Sequence, residues 1–317
     1  MSYYSKRIQQ ITLTLISILF CAQTFAKAEI AQSLSSDNVT NIAISNHSGS
    51  INVIGWNKDK ISITGTLDDD VDKVIFEQQG AQVIIKVVYP SMESWSADGS
   101  HLTIFTPKNI RIKASSISSA IDIENLHGGV EVKTVSGDIT AKNSSQSVEL
   151  NSVSGDITSD DLAGKIAISA VSGDIKDHDS SGRLEVNSVS GDVDIDSEAK
   201  EVFFNNVSGE CTLEFDEIVE LRVRTVNGNL KAELDLTDKG LLKATSVSGD
   251  LAFDFQWGID ADFTLKSSVG GDIDNKLTKA KGQKNDFGPG EQLSFQTGNG
   301  SAVVSITTVN GNMKVSN

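Results

Sequence analysis

Four aspartates stand eighteen residues apart: Asp138, Asp156, Asp174 and Asp192, each in a "VSGD" segment followed by Ile or Val. Carboxylates at a fixed spacing have two chemical uses. They can supply oxygen ligands to Ca2+, or they can accept backbone amide hydrogen bonds at a turn. Calcium-binding repeats carry GGxGxD at both corners of a coil. Here the second corner reads "KNSSQS", "DDLAGK", "HDSSGR" and "SEAKEV". The same position also holds Ala120, Glu210, Asn229 and Asn312. Turn capping is therefore the expectation, and no metal ligand is assigned. "DVDIDSE", Asp192 to Glu198, has the acids of an EF-hand loop but has Ser197 where glycine is needed and Phe203 where the bidentate glutamate belongs. It reads as an outward acidic stripe alternating with Val193 and Ile195.

The other reactive residue types are scattered. His47, His101, His127 and His178 form no HExxH or paired spacing, and neither GxSxG nor GxxxxGK[ST] occurs. Every serine of the Ser136 type recurs in the next coil, which singles out no nucleophile. Cys211 occupies a slot that neighbouring coils fill with Ile or Val, which favours a buried small hydrophobe over a reactive thiol. Trp56, Trp95 and Trp257 could line a carbohydrate groove; packing in the cap or core is the simpler use. No catalytic residue and no cofactor is assigned.

The chain has 317 residues, with 27 Lys+Arg against 43 Asp+Glu, a net charge of −16. Its start resembles a secretory leader: Lys6 and Arg7, then an apolar run from Ile11 to Phe20, then small residues around Ala26. That run is too short to span a bilayer, which takes about 20 residues. Cleavage is expected near Ala26 or Ala28. Acylation at Cys21 is disfavoured by the bulky Phe20 before it. Loss of residues 1–26 removes Lys6 and Arg7 and takes the charge from −16 to −18. Such a chain should not bind nucleic acid, which needs a basic face. No later segment reads as a transmembrane span. A single cysteine, Cys211, remains after the leader, so burial and backbone hydrogen bonds must hold the fold without an intramolecular disulfide.

The elements that position the aspartates follow from the period. The motif valines fall at 135, 153, 171, 189 and 207, and later copies begin at Val226, Val247, Val269 and Val309. The last lies far enough from its predecessor to leave room for two coils. Self-similarity of this kind signals a solenoid. Between motifs the pattern alternates: Val148 and Leu150, Ile166 and Ile168, Leu184 and Val186. Period two means strand. The expectation is an all-β, single-domain parallel β-solenoid with about 18 residues per coil, two short strands and two turns each. In the tight turn, Gly155 and its equivalents should supply positive φ. None of the three prolines, Pro90, Pro107 and Pro289, falls within 117–281, as expected where strands are paired on both sides. The organisation read from the sequence is a signal peptide at 1–26, an N-terminal β cap at 27–116, solenoid repeats at 117–281, and a closing loop and strands at 282–317. Within the cap, "NIAISN", "INVIGW" and "ISITGTL" read as a meander, and "KVIFEQQGAQVIIKVVYP" as a hairpin turning near Gly80.

"ISNHSGSINVIGW", "LTIFTP" and the serial "VSGDI" resemble the bacterial "putative adhesin" family, a domain of unknown function related to the head domain named for autotransporter adhesins. The resemblance covers residues 38–317. It implies a β-solenoid on the outer side of the cytoplasmic membrane, in a family whose members often accompany envelope-stress regulators. The repeats are followed by no translocator barrel, so self-export as an autotransporter is not expected. The functional expectation is a non-catalytic envelope or surface protein, periplasmic or secreted, adhesin-like or a scaffold, meeting an envelope protein or glycan on an extended, mainly acidic β face. The alternatives are a polysaccharide-active β-helix enzyme, against which the scarcity of arginine counts (Arg111, Arg183, Arg222 and Arg224 after the leader), and a calcium-organised module.

Overall fold

The computed structural model describes residues 28–90, 98–284 and 288–317. The expected leader (1–26) and Trp95 lie outside them. Alternating apolar residues produce strands throughout, and these join into one 22-stranded sheet wound as a parallel solenoid. Partners in successive coils are the repeat equivalents: Ile157 pairs with Ile139 and Ile175, and Ile168 with Leu150 and Val186. Columns of identical slots therefore run along the axis. Val148, Ile166 and Leu184 form one buried column, and Leu150, Ile168, Val186 and Phe204 form the next. Each such side chain contributes about 1.5–3 kcal/mol on burial. One coil cannot fold alone on that sum, so stacking is obligatory.

Four features differ from the sequence expectation. First, a coil is not two short strands. Ile157–Ala170 is one 14-residue strand that passes through the second corner while still paired on both sides. The corner is made by two positive-φ residues inside each strand: Asn143 (φ 43°), Asp161 (φ 52°) and Asp179 (φ 54°), followed three residues later by Gln146 (φ 77°), Gly164 (φ 109°) and Gly182 (φ 103°) respectively. Asn and Asp tolerate this region better than other non-glycine residues.

Second, the N-terminal "meander" is already solenoid. Asn41–Trp56 is one strand, parallel to Arg111–Glu124 on one side and to Gln82–Val88 and Ser100–Pro107 on the other. The hairpin at Gly80 forms as read, Lys73–Gln79 against Gln82–Val88. Third, the last coil does not follow in order. Ala302–Asn310 and Met313–Ser316 insert between the coil of Val247 and that of Val269. The parallel stack then stops against antiparallel strands at both ends: Lys60–Thr66 and Lys73–Gln79 at one, Glu291–Gln296 at the other. Such pairing removes open parallel edges that would otherwise recruit other chains.

Fourth, positive φ accounts for the motif glycine in only part of the stack: Gly191, Gly209, Gly249 and Gly271 adopt it. Gly137, Gly155 and Gly173 are absent from the positive-φ residues. A Cβ on Gly155 would lie 2.1 Å from the carbonyl oxygen of Gly137, and one on Gly173 2.1 Å from that of Gly155. Glycine is required there because successive turns touch backbone to backbone.

Candidate functional site: a groove along the valine ladder

The turn itself is built from three columns. The first is polar and points inward. The hydroxyls of Thr134, Ser152 and Thr225 accept from the N–H of Gly137, Gly155 and Gly228 at 3.0, 2.8 and 3.1 Å. In other coils the peptide before the glycine is turned over. Asn206 Nδ2 and Ser246 Oγ donate to the carbonyls of Ser208 and Ser248, and Gly209 and Gly249 then take φ 122° and 108°. A hydroxyl serves either state, whereas the Asn206 amide donates to the turned-over carbonyl. At the crossover between the two states, the buried Ser188 Oγ has no partner.

The second column is the aspartate ladder. Oδ1 of Asp138, Asp156 and Asp174 accepts the backbone N–H of Asp156, Asp174 and Asp192 at 3.0, 2.9 and 2.8 Å. Asp192 does the same for Glu210, and Asn229 for Asp250. The carboxylates thus cap amides of the next coil rather than of their own turn.

The third column is that of the motif valines. Val135, Val153, Val171, Val189, Val207, Val226, Val247, Val269 and Val309 are all 40–54% exposed. Alternation places Ser152 inward, so Val153 faces out. Val153, Val171, Val189, Val207 and Val226 form one wall of a groove of about 650 Å3 running along the axis. Asn151, Ser169, Asn187 and Asn205 form the other wall; the inward, short Ser152, Ala170 and Ser188 make its floor. Asn205 Nδ2 donates to Asn187 Oδ1 at 2.9 Å, which ties part of the polar wall to itself. Lys133 stands at one end and Arg224 at the other. Single exposed valines need no explanation, but a continuous stripe does.

The wall beyond the asparagines is polarised. At the Lys133 end, Glu131 binds Lys113 (2.7 Å) and Lys133 (2.9 Å), hydrogen bonds that hold its carboxyl down at about 2. Glu149 and Glu185 continue that column. Two and three coils beyond Glu185, the same column holds Arg222 and Lys243, paired across the ladder.

The remaining sequence candidates do not converge. His47 packs edge-on to Tyr89, His101 Nδ1 meets Ser50 Oγ, and His127 Nδ1 meets Ser145 Oγ. Trp56 stacks on Phe105 at 5.1 Å in the N-terminal coils, whereas Trp257 is 85% exposed in the loop after Leu251–Asp254. Cys211 is buried between Val193 and Leu230, and burial, with Asp192 nearby, pushes its thiol up to about 12. The acidic stripe does face outward at Asp192, Asp194 and Asp196, with Val193 and Ile195 inside. His178 lies 3.0 Å from Asp179, 3.7 Å from Asp160 and 3.4 Å from Asp196. Among the described residues, Asp160, His178 and Asp179 are the group whose ligand atoms lie close enough for one cation; all stand at the solvent surface.

Beneath this cluster sits a residue the sequence reading passed over. Asp177 is 3% exposed, in the inward column that holds Ala141 and Ile195 in other coils. Its Oδ1 accepts from Ser159 and Ser180, and its Oδ2 has no partner. Burial raises its carboxyl to about 6, partly offset by the two hydroxyls.

Solved structures similar to this chain include a putative lipid binding protein from Parabacteroides distasonis (15% identity, TM-score 0.47, 72% of this chain and 96% of that one). A putative adhesin from Parabacteroides merdae (13%, TM-score 0.37, 72% and 89%) is another. A third is a putative cell adhesion protein from Clostridium sporogenes (9%, TM-score 0.26, 92% and 99%). No curated protein matches it. Residues 39–316 match the family described as Toastrack DUF4097, and with nearly every coil inside that match the chain belongs to the Toastrack DUF4097 family.

Proposed function

We propose that this is an exported, non-catalytic binding protein of the cell envelope or surface, adhesin-like, whose working part is the outer side of the solenoid. The observation that carries this reading is the valine groove. It is continuous over six coils and repeats one chemistry in every coil. Catalysis needs a one-off constellation of nucleophile, base and charge stabiliser, whereas a repeated column offers the same contact many times over. Core columns such as Leu150, Ile168 and Val186 are fully packed, so the interior has no room for a substrate. The partner expected from sequence was an envelope protein or glycan on an acidic face. The groove's apolar lining moves the expected contact to an elongated apolar one.

A photo-reactive residue at position 171, in the groove, and another at 194, on the acidic stripe, test this in the native envelope. Adducts from position 171 and few from 194 are expected. Adducts only from 194, or turnover of pectin, alginate or peptidoglycan by the purified protein, would overturn the reading.

A further inference from the structure

We infer that the valine groove binds a long-chain carboxylate: its alkyl chain lies along Val153 to Val226 and its carboxylate meets Arg224. This rests on the surface-binding reading and names the ligand class. The argument begins with what the groove lacks. Its exposed lining is almost entirely carbon, from the valine methyls, Ala170 and the stems of its neighbours. A peptide or a glycan laid there would bury amide or hydroxyl groups against carbon, and an unpaired polar group is costly to bury. The ladder backbone offers no relief, since the strands on both sides of each coil are already paired. The Asn187–Asn205 bond occupies part of the polar wall as well. An alkyl chain has no hydrogen bonds to lose.

Length agrees. The groove crosses five inter-coil steps from the Lys133 coil to the Arg224 coil, about 24 Å at ~4.8 Å each. An acyl chain spans half of a bilayer core of about 30 Å, so a single extended chain is accommodated with its head at one end. Its volume of about 650 Å3 falls in the usual range of small-ligand sites, roughly 300–1,000 Å3.

Charge sets the direction. At one end Lys133 is already engaged by Glu131 and lies 3.8 Å from Glu149. At the other end, none of the ion pairs found among the described residues includes Arg224 or Lys243. Arg222 stands in register with Lys243 and is held by Glu220. A guanidinium with no acid of its own, in a chain of net charge −16, is matched to a carboxylate. The acids at the far end exclude the reverse orientation. The overall negative charge also disfavours docking onto an anionic bilayer, which selects the free amphiphile.

The test uses the purified chain, 13C-carboxyl laurate and 1-dodecanol as probes, and four proteins: wild type, Val171→Asp, Val171→Thr and Arg224→Glu. Val171 and Arg224 are exposed, so all should melt with the wild type. Saturable one-to-one binding of laurate is expected, with a shifted carboxyl resonance. Val171→Asp should weaken it by about tenfold or more, and Val171→Thr, which keeps the shape, by a smaller factor. Arg224→Glu should weaken laurate by about tenfold and leave dodecanol within roughly twofold. No saturable laurate binding, binding indifferent to Val171→Asp, or equal effects of Arg224→Glu on both probes would each overturn the inference. If laurate fails while position 171 still yields adducts in the envelope, the ligand class is wrong and the surface reading stands. If both fail, the groove is not the working surface.

Discussion

Asp177→Asn should make the stability of this protein less sensitive to pH, and the size of the change can be worked out. Asp177 sits in carbon, and burial lifts its carboxyl from 3.8 to about 6. A carboxyl with a raised folded-state value favours the fold while protonated. That contribution is fully present below about pH 4 and is lost as pH rises through about 6. Each pKa unit corresponds to about 1.4 kcal/mol, so between pH 4 and pH 7.5 the wild type loses roughly 2–3 kcal/mol through this residue. Asparagine cannot ionise, and its carbonyl still accepts from Ser159 and Ser180. Its Nδ2, placed where Oδ2 lacks a partner, adds an offset that does not depend on pH. The quantity to read is therefore the change with pH of the stability difference between variant and wild type, from urea unfolding at about pH 4 and pH 7.5. His178 and Asp160 are the charged groups that act on Asp177, and both variants retain them. The difference should move in favour of the asparagine variant by roughly 2–3 kcal/mol as pH rises. A difference that stays constant would mean that Asp177 titrates as an ordinary carboxylate, and that the inward column admits water.

Gly155→Ala should destabilise by about 1–3 kcal/mol, because its Cβ meets the Gly137 carbonyl, while Asp156→Asn keeps the ladder acceptor and should stay within about 0.5 kcal/mol; thermal melts of the two compare them directly, and equal losses would refute the close-approach account. Ser152→Ala strips the partner from the buried Gly155 N–H and should cost about 1 kcal/mol, whereas Ser188→Ala removes an unpartnered hydroxyl and should be neutral or stabilising in the same urea assay. EDTA should leave the far-UV circular dichroism of the folded protein unchanged, since the ladder carboxylates are capped by backbone amides; conversion to coil would contradict that.

The parallel solenoid and its core columns were legible because a fixed period fixes register: once "VSGDI" recurs, Val148, Ile166 and Leu184 must share a slot. What was lost follows from three physical gaps. Alternation breaks at a corner, which hides the outward face of Val153, although counting from Leu150 already turns Ser152 inward and Val153 outward. The same count from Ile175 puts Asp177 inside, a signal present in "IKDHD" but overridden by the habit of reading acids as outward. A glycine column has two causes, conformational freedom and lack of room, and a one-dimensional pattern cannot separate them; only the 2.1 Å approach of coil to coil does. Spatial order is likewise hidden, because a motif copy carries register but no address in the stack. That is why the Val309 coil could be read as following Val269 when it precedes it.

The groove and the turn have one origin. A coil that stacks glycine on carbonyl holds its neighbours at ladder spacing, and the residue beneath the turn is short in the groove coils, Ser152, Ala170 and Ser188. These small inward residues floor a crease between the columns on either side. The outer residue of that crease is then exposed in every coil, and its identity is free of the packing demands that fix Leu150 or Ile168. In a strand with no demand beyond solubility, threonine would serve as well as valine, since both are β-branched and suit a pleated surface. Valine fills the position in nine coils, while the opposite wall varies among Asn, Ser, Thr, Lys and Arg. A column kept apolar against water, beside one left free to vary, is the signature of contact rather than of folding. Exchanging the valines of several coils for threonine would therefore leave the fold standing and abolish what the groove holds.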